Sequence, residues 1–208
     1  MVNRLPNAGK AEVLPKLVDR LKREELMNRF VFADPSQCIG CRTCEVACVL
    51  SHQEVSQIES LDPSKFYPRL NLVRNGDVTT PIMCRQCEDA PCEKVCPNNA
   101  IYRENGQVHV MQSRCIGCKT CAIACPYGAM NVVAFPVKQE GPSPLFKLNT
   151  VKAQALKCDL CNNRAEGPAC VEVCPTSAIR VIEPTDMDQL MKQKRQQAAT
   201  EALSTVTS

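Results

Sequence analysis

The sequence predicts an α+β fold in which short β-hairpins and short helices surround cysteine-rich loops. Three observations lead to this prediction. The 208-residue chain contains sixteen cysteines, and all of them fall into four runs of four. Two Asn-Gly pairs, Asn75-Gly76 and Asn105-Gly106, stand inside short segments of strand character. Aromatic residues make up 4% of the chain and tryptophan is absent, so the apolar core looks thin for this length.

The spacing within the runs is typical of iron-sulfur ligands. The third run reads Cys-x2-Cys-x2-Cys-x3-Cys-Pro, in which three thiolates hold one 4Fe-4S cluster and the fourth holds a neighbouring one. Four runs therefore provide ligands for four clusters, and metal binding should supply much of the folding free energy. The runs are Cys38, Cys41, Cys44 and Cys48; Cys84, Cys87, Cys92 and Cys96; Cys115, Cys118, Cys121 and Cys125; and Cys158, Cys161, Cys170 and Cys174.

The lengths of the connections predict which runs share clusters. Eighteen residues separate the second run from the third. Thirty-five separate the first run from the second, and thirty-two separate the third run from the fourth. We therefore expect an inner two-cluster unit (79–135) and an outer unit (27–78 with 151–183), so that the fold consists of tandem bacterial-ferredoxin-like units. Exchange of the fourth ligand within each unit predicts four ligand sets. They are Cys38, Cys41, Cys44 and Cys174 (site 1); Cys48, Cys158, Cys161 and Cys170 (site 2); Cys84, Cys87, Cys92 and Cys125 (site 3); and Cys96, Cys115, Cys118 and Cys121 (site 4).

Local patterns predict the elements between the runs. The apolar run Phe30–Ala33 predicts a strand, which we expect to pair with Ala178–Ile182 and so close the outer unit. A short helix is expected over Glu45–Leu50. Two hairpins, over Leu70–Val78 and Ala100–Met111, should each turn at an Asn-Gly pair.

After the third run, Ala129–Phe135 predicts a strand. The following segment, Pro136–Pro144, is rich in proline and glycine and predicts a loop. It separates the inner unit from the fourth run.

Both ends of the chain lack cysteine and are predicted to be helical extensions of the four-cluster domain at 27–183. Residues 1–26 contain an apolar stripe opposite basic residues, and 184–208 contain apolar residues before a Lys-Gln-Lys-Arg run. For the first helix, docking to a partner subunit and simple packing on its own domain both stay open. For the second, self-association or subunit contact and a solvated surface both stay open.

Composition argues against several classes of function. The formal charge of +3 counts no cluster, and four oxidised clusters at roughly −2 each would bring the holoprotein to about −5. Binding to nucleic acid is therefore not expected.

The N-terminus lacks a signal-peptide h-region and the chain lacks an 18-residue apolar run, so we expect a cytoplasmic protein without membrane insertion. His52 and His109 are expected to have surface or hydrogen-bonding roles, because sixteen cysteines already complete the ligand count.

Two further interpretations concern the chemistry of the runs. Cys-x2-Cys pairs also occur in structural zinc sites, although three cysteines at x2, x2 spacing favour a cluster. A basic residue follows one of the first two cysteines in three runs, whereas Asp159 follows Cys158 in the fourth. A nearby carboxylate lowers a cluster potential, so one hypothesis gives site 2 one of the lowest potentials. The other is that this side chain points into solvent and has little effect.

The motifs resemble the four-cluster ferredoxin subunits that accompany molybdopterin oxidoreductases and hydrogenases, including formate hydrogenlyase. The resemblance covers 27 to about 183. It is carried by MNRFVFAD (27 to 34), CIGCRTCEVAC (38 to 48), CRQCEDAPC (84 to 92), RCIGCKTCAIACPYGAM (114 to 130) and KCDLCNNRAEGPAC (157 to 170).

The resemblance implies a non-catalytic electron-transfer subunit between a formate dehydrogenase and a hydrogenase, with four 4Fe-4S clusters held by the ligand sets given above. The residues themselves agree, since no nucleophile with a base, phosphate-binding loop or paired-carboxylate motif is present in the sequence. A subunit of another complex, such as a hydrogen-dependent carbon dioxide reductase, and a soluble carrier that serves several enzymes both stay open.

Overall fold

The computed structural model describes residues 28–53, 58, 61–138 and 149–206, which form short helices and four two-stranded antiparallel sheets. This is the predicted α+β mixture; the predicted helix in 1–26 lies outside the described residues. The elements are β1 (Phe30–Ala33), α1 (Thr43–His52), a 3-10 turn (Pro63–Lys65), β2 (Asn71–Asn75), β3 (Val78–Ile82), α2 (Pro91–Lys94), β4 (Ile101–Glu104), β5 (Gln107–Val110), α3 (Thr120–Ala124), β6 (Asn131–Lys138), β7 (Asn149–Leu156), α4 (Ala169–Glu172), β8 (Ile179–Ile182) and α5 (Pro184–Val206).

Residues 29–182 form one compact unit, which contains all sixteen cysteines, and α5 belongs to a second unit. The helix α5 confirms the predicted C-terminal helix. Among the described helices, none combines the length and the apolar character that a transmembrane span requires.

The sheet of β1 and β8 joins the beginning of the cysteine-containing unit to its end. This confirms the predicted pairing, and the structure adds that the strands are antiparallel, with Phe30 opposite Ile182 and Ala33 opposite Ile179. The strand β1 alternates in burial, and Val31 is completely buried on the inner face. The contact continues beyond the strands, since the Asp34 N–H donates to the carbonyl of Ala178 at 2.8 Å.

Both predicted hairpins form, with one difference in the position of a turn. Asn105 and Gly106, between β4 and β5, have φ values of 50° and 72°, as a type I′ turn requires. The first hairpin turns at Gly76 and Asp77, because Asn75 pairs with Val78 as the last residue of β2. The turn is therefore one residue later than predicted, and β3 runs on to Ile82, beyond the predicted end of the hairpin.

The third hairpin, β6 with β7, was only half predicted. The strand expected over Ala129–Phe135 is present as Asn131–Lys138, so the predicted loop is wrong for its first three residues. In a two-stranded sheet every strand is an edge, which is where Pro136 can be accommodated without losing a ladder hydrogen bond. The partner β7 was not predicted; the rest of the predicted loop, residues 139–144, lies outside the described residues.

Cysteines share the interior of the unit with apolar side chains in three buried clusters, which are two larger cores and a small cluster of Ala47, Cys161 and Ala169. The first contains Val31, Ala33, Leu70, Met83, Leu160 and Ile179 together with Cys44, Cys48, Cys158 and Cys170. The second contains Ala90, Ile101, Val108, Met130 and Ala155 together with Cys92 and Cys121. The thiols are thus part of the core, so the interior depends on what those thiols bind.

The sheet of β6 and β7 packs closely against the third cysteine run at Gly117. A Cβ added at Gly117 would lie 2.2 Å from the Cβ of Ala153, and the φ of Gly117 is +73°. Gly76 also has a positive φ, of +57°, but nothing lies within 4 Å of an added Cβ there.

We expect Gly117→Ala to destabilise the protein by about 2–4 kcal/mol, the sum of left-handed strain and overpacking. The matched control Gly76→Ala should cost only the strain, about 1–2 kcal/mol. Thermal unfolding of the anaerobic holoproteins, followed by circular dichroism, measures both. Equal losses of stability in the two variants would show that the contact with Ala153 does not contribute to the destabilisation.

Candidate iron-sulfur sites

All sixteen cysteines are free thiols in the structure, which argues against a disulfide framework. Most lie inside the unit, and only Cys41 and Cys118 are exposed. The fully buried thiols are Cys44, Cys48, Cys92, Cys121, Cys158, Cys161 and Cys170.

The four cysteines predicted for site 3 line one cavity together, and so do the four predicted for site 4. The four cysteines of site 4 line one cavity together with Ile116, Gly117 and Ala155. The four cysteines of site 3 line the other, together with Met130 and Lys157. Cysteines from two different runs meet in each cavity, so exchange of the fourth cysteine between runs is sterically feasible here.

The thiols of site 2 meet in the most buried part of the unit. Burial, and then the charges of Cys158, Cys48 and Cys161, raise the pKa of Cys170 strongly. Burial is also the main cause that raises the pKa of Cys48 to about 12. All four members of site 2 therefore interact with one another, although 121 positions in the sequence lie between the first and the last.

Site 1 is more open. Cys41 and Cys174 are within electrostatic reach of each other, and so are Cys41 and Cys44. The hydrogen bond from the Thr43 hydroxyl to the Cys41 sulfur, at 3.3 Å, is the main cause that lowers the pKa of Cys41. Cys38 stands half-buried at the start of the same run.

The donor chemistry of these sites fits iron-sulfur clusters. Thiolates gathered in a low-dielectric interior are unstable on their own: burial, and then the Cys84 charge, raise the pKa of Cys92 to about 11. Coordination to iron removes this penalty, because the metal binds the thiolate form. Groups of four sulfurs with hydrogen-bond donors directed at them are what a 4Fe-4S cluster needs.

The Cys-Pro sequences build some of these donors. Two residues after the proline, Asn99 and Gly128 adopt positive φ values of 49° and 61°. The turn brings the next N–H back to the cysteine: Ala100 donates to the Cys96 sulfur at 3.3 Å, and Ala129 to the Cys125 sulfur at 3.4 Å.

The first run departs from this pattern, and the structure shows the consequence. Val49 stands where the other runs have proline, so α1 continues through Cys48 to His52. In the described stretch 49–53, no turn returns an N–H to Cys48. The backbone N–H of Arg69, far along the chain, donates to that sulfur instead, at 3.3 Å.

The two exposed thiols lie in equivalent loops. Each loop reads Cys-Ile-Gly-Cys-basic-Thr-Cys, with Arg42 in one and Lys119 in the other at φ values of 63° and 65°. The isoleucines Ile39 and Ile116 are 64% and 61% exposed. Sites 1 and 4 therefore present an apolar side chain and a cation to solvent next to an accessible sulfur.

Asp159 does not stand as an isolated charge beside site 2. It forms an ion pair with the Arg69 guanidinium, and His52 Nε2 lies 2.9 Å from its Oδ1. Although burial alone would raise it, these partners lower the pKa of Asp159 to about 2. The cationic partner offsets much of the carboxylate charge. Burial, and to a smaller extent the Asp159 charge, still raise the pKa of Cys158, so the low potential suggested for site 2 stays a prediction. His52 has the hydrogen-bonding role expected of it.

Two polar residues that sequence reasoning missed lie between sites 2 and 3. Gln86 is completely buried, and Lys157 is 3% exposed. The only sequence signal is position, because each lies next to a cysteine of a run. A lysine beside a cysteine is usually solvated, so burial could be learned only from the structure.

Comparison with known proteins identifies the family. The 4Fe-4S dicluster domain family matches residues 77–183. The electron transport protein HydN of Escherichia coli (strain K12) is 55% identical over 173 residues, which cover 83% of this chain and 98% of HydN. Formate hydrogenlyase subunit 2 of the same organism is 40% identical over 188 residues, covering 82% of this chain and 89% of that subunit. The chain therefore belongs to the family of 4Fe-4S electron-transport proteins that includes HydN.

Proposed function

We propose that this protein is a non-catalytic subunit that relays single electrons through four 4Fe-4S clusters, between a molybdopterin-type formate dehydrogenase and a hydrogenase or other redox partner. The observations that support the proposal are the two cavities, each lined by the four cysteines of one predicted set, and the mutual electrostatic effects of the four site 2 thiols. A bound cluster supplies reversible one-electron chemistry. The chain's own residues hold it, exclude water and direct N–H donors at its sulfur ligands.

Contacts between the sites support an order along the relay. The helix α1 carries Cys44 of site 1 and Cys48 of site 2, one turn apart. The charge of Cys84, in site 3, acts on Cys158, in site 2. Sites 3 and 4 share the second and third cysteine runs. The proposed order is therefore site 1, site 2, site 3, site 4.

Exposure supports the assignment of the two ends. Site 2 is the most buried, whereas the two exposed thiols, Cys41 and Cys118, belong to sites 1 and 4. Electron transfer to a partner needs a short path from the surface, which these two sites offer. We place the partner contacts there. The proposed domain is the inner unit 79–135 with the outer unit 27–78 and 151–183.

The partners are proposed from the relatives. One relative is subunit 2 of formate hydrogenlyase, and the other is the electron transport protein HydN. Reduced thiolate ligands suit the cytoplasm, where thiols are kept reduced.

The anaerobically purified protein should contain about sixteen irons and sixteen labile sulfides per chain, with interacting 4Fe-4S signals in electron paramagnetic resonance after reduction by dithionite. Iron, sulfide and zinc analysis on the same sample decides the metal. About four zincs without labile sulfide would exclude the relay and favour a structural zinc module.

The ligand sets make a testable prediction about cysteines that lie close together in the chain. Cys121 and Cys125 are four residues apart in the chain but belong to sites 4 and 3. We expect Cys92→Ala and Cys125→Ala to remove the same spectroscopic signal and Cys121→Ala to remove a different one. Each variant should retain about twelve irons. Loss of one common signal in Cys121→Ala and Cys125→Ala would overturn the assignment.

Purified formate dehydrogenase and formate should bleach the cluster absorbance of the oxidised protein under anaerobic conditions, and hydrogenase should then release hydrogen. Omission of formate is the control, and dithionite reports the total reducible absorbance. Reduction by hydrogen with hydrogenase, but not by formate, would favour a carrier for other enzymes. No reduction by either enzyme, with full reduction by dithionite, would contradict both proposed partners.

A further inference from the structure

Lys157 is a cation inside the protein. Its side chain is 3% exposed, at the end of β7 and directly before Cys158. Lysine is among the residues least often buried, because removing its charge from water is costly unless an opposite charge compensates it. The burial of Lys157 therefore indicates that an opposite charge lies near it in the functional protein.

Among the residues that the structure describes, the hydrogen-bond partners of the ammonium are neutral. Lys157 Nζ donates to the carbonyl of Cys158 at 2.9 Å and to Oε1 of Gln86 at 3.4 Å. Within the described part of the chain, no carboxylate lies within 4.0 Å of this nitrogen. The carboxylate of Asp159 pairs with Arg69 and contacts His52 instead. The hydrogen bonds solvate the ammonium but leave its charge uncompensated.

Gln86 holds the ammonium in place. It is completely buried; its Nε2 donates to the carbonyl of Cys158 at 2.9 Å, and its Oε1 accepts from the backbone N–H of Val108 at 2.9 Å. The side-chain amide is therefore fixed at both ends. Its oxygen stays directed at Lys157, so the cation has a defined position.

The anionic groups near Lys157 are thiols of two different sites. Lys157 lines the cavity of site 3 together with Cys84, Cys87, Cys92 and Cys125. It also directly precedes Cys158 of site 2 in the chain, and its Nζ donates to the carbonyl of that residue. The lysine thus faces both sites from the point at which they adjoin.

We propose that Lys157 is the shared counter-cation of sites 2 and 3, positioned by Gln86, and that it raises the reduction potentials of both inner clusters. This inference rests on the proposed four-cluster relay. One-electron reduction adds one negative charge to a cluster, and a buried cation stabilises the more negative state. Net charge, hydrogen bonding and exposure are the factors that set cluster potentials. Site 2 has the least access to water, so the cation matters most there.

The alternative role is purely structural: Lys157 would only hold the Cys158 carbonyl and the Gln86 side chain. The two roles differ in which property a replacement for the lysine must keep, the hydrogen-bond donor or the positive charge. Glutamine keeps a donor without the charge, and arginine keeps the charge. The reduction potentials distinguish them, whereas stability or activity alone would not.

The test is an anaerobic potentiometric titration monitored by electron paramagnetic resonance. We would compare the unmodified protein, Lys157→Met, Lys157→Gln and Lys157→Arg, with Lys65→Met as the control at a side chain that is 67% exposed. Iron and sulfide analysis comes first: an unmodified protein without four clusters refutes the proposed relay, and this inference with it. The Cys92→Ala and Cys48→Ala variants assign the signals of sites 3 and 2.

With four clusters present, we expect two midpoint potentials, those of sites 2 and 3, to become more negative in Lys157→Met and Lys157→Gln. The other two should not change, and Lys157→Arg should restore both. If the methionine variant loses iron, the glutamine variant decides. Unchanged potentials in a fully loaded neutral variant, or an equal fall in the fully loaded arginine variant, would overturn the counter-cation role.

Discussion

The gathering of buried thiols into groups is the constraint on which the rest of the structure depends. Sulfur atoms occupy positions in both cores that leucine or phenylalanine would fill in an ordinary domain of this size. Burial and mutual repulsion make the ionised thiols costly until a metal binds them. Short helices and two-stranded sheets are then sufficient, since each needs only to deliver a few sulfurs to a common point.

Backbone turns position these sulfurs more than side-chain packing does. Positive φ values recur at corresponding places: in the loops before α1 and α3, and after the cysteine-proline pairs. Such conformations are strained for residues other than glycine and persist where the surroundings fix them. In this protein, the turns after Cys96-Pro97 and Cys125-Pro126 return N–H groups to sulfur. The single run without proline needs a donor from a distant residue, Arg69, which ties a separate segment to site 2.

Much of this could be predicted from the sequence, because cysteine spacing and turn residues act locally. The pairing of β1 with β8 was also accessible, since the connection lengths left the outer runs no other partner. The strand β7 was missed because Ala153 and Ala155 have little intrinsic preference for a strand and because a proline-rich segment separates β7 from its partner β6. Burial of Gln86 and Lys157, and the ion pair of Asp159 with Arg69, depend on contacts between distant segments. Patterns of residues that are close in sequence cannot predict such contacts.

The pairing of β1 with β8 also has a consequence for assembly during synthesis. On the proposed ligand sets, sites 3 and 4 have all their cysteines once residue 125 has been made. Sites 1 and 2 need cysteines from the fourth run, and the sheet that closes them needs residues 179–182. The first cysteine run must therefore wait, with its thiols unligated, while the inner part of the protein is completed. Maturation would then proceed from the middle of the chain outwards, and the thiols of the first run would be exposed to oxygen for longest.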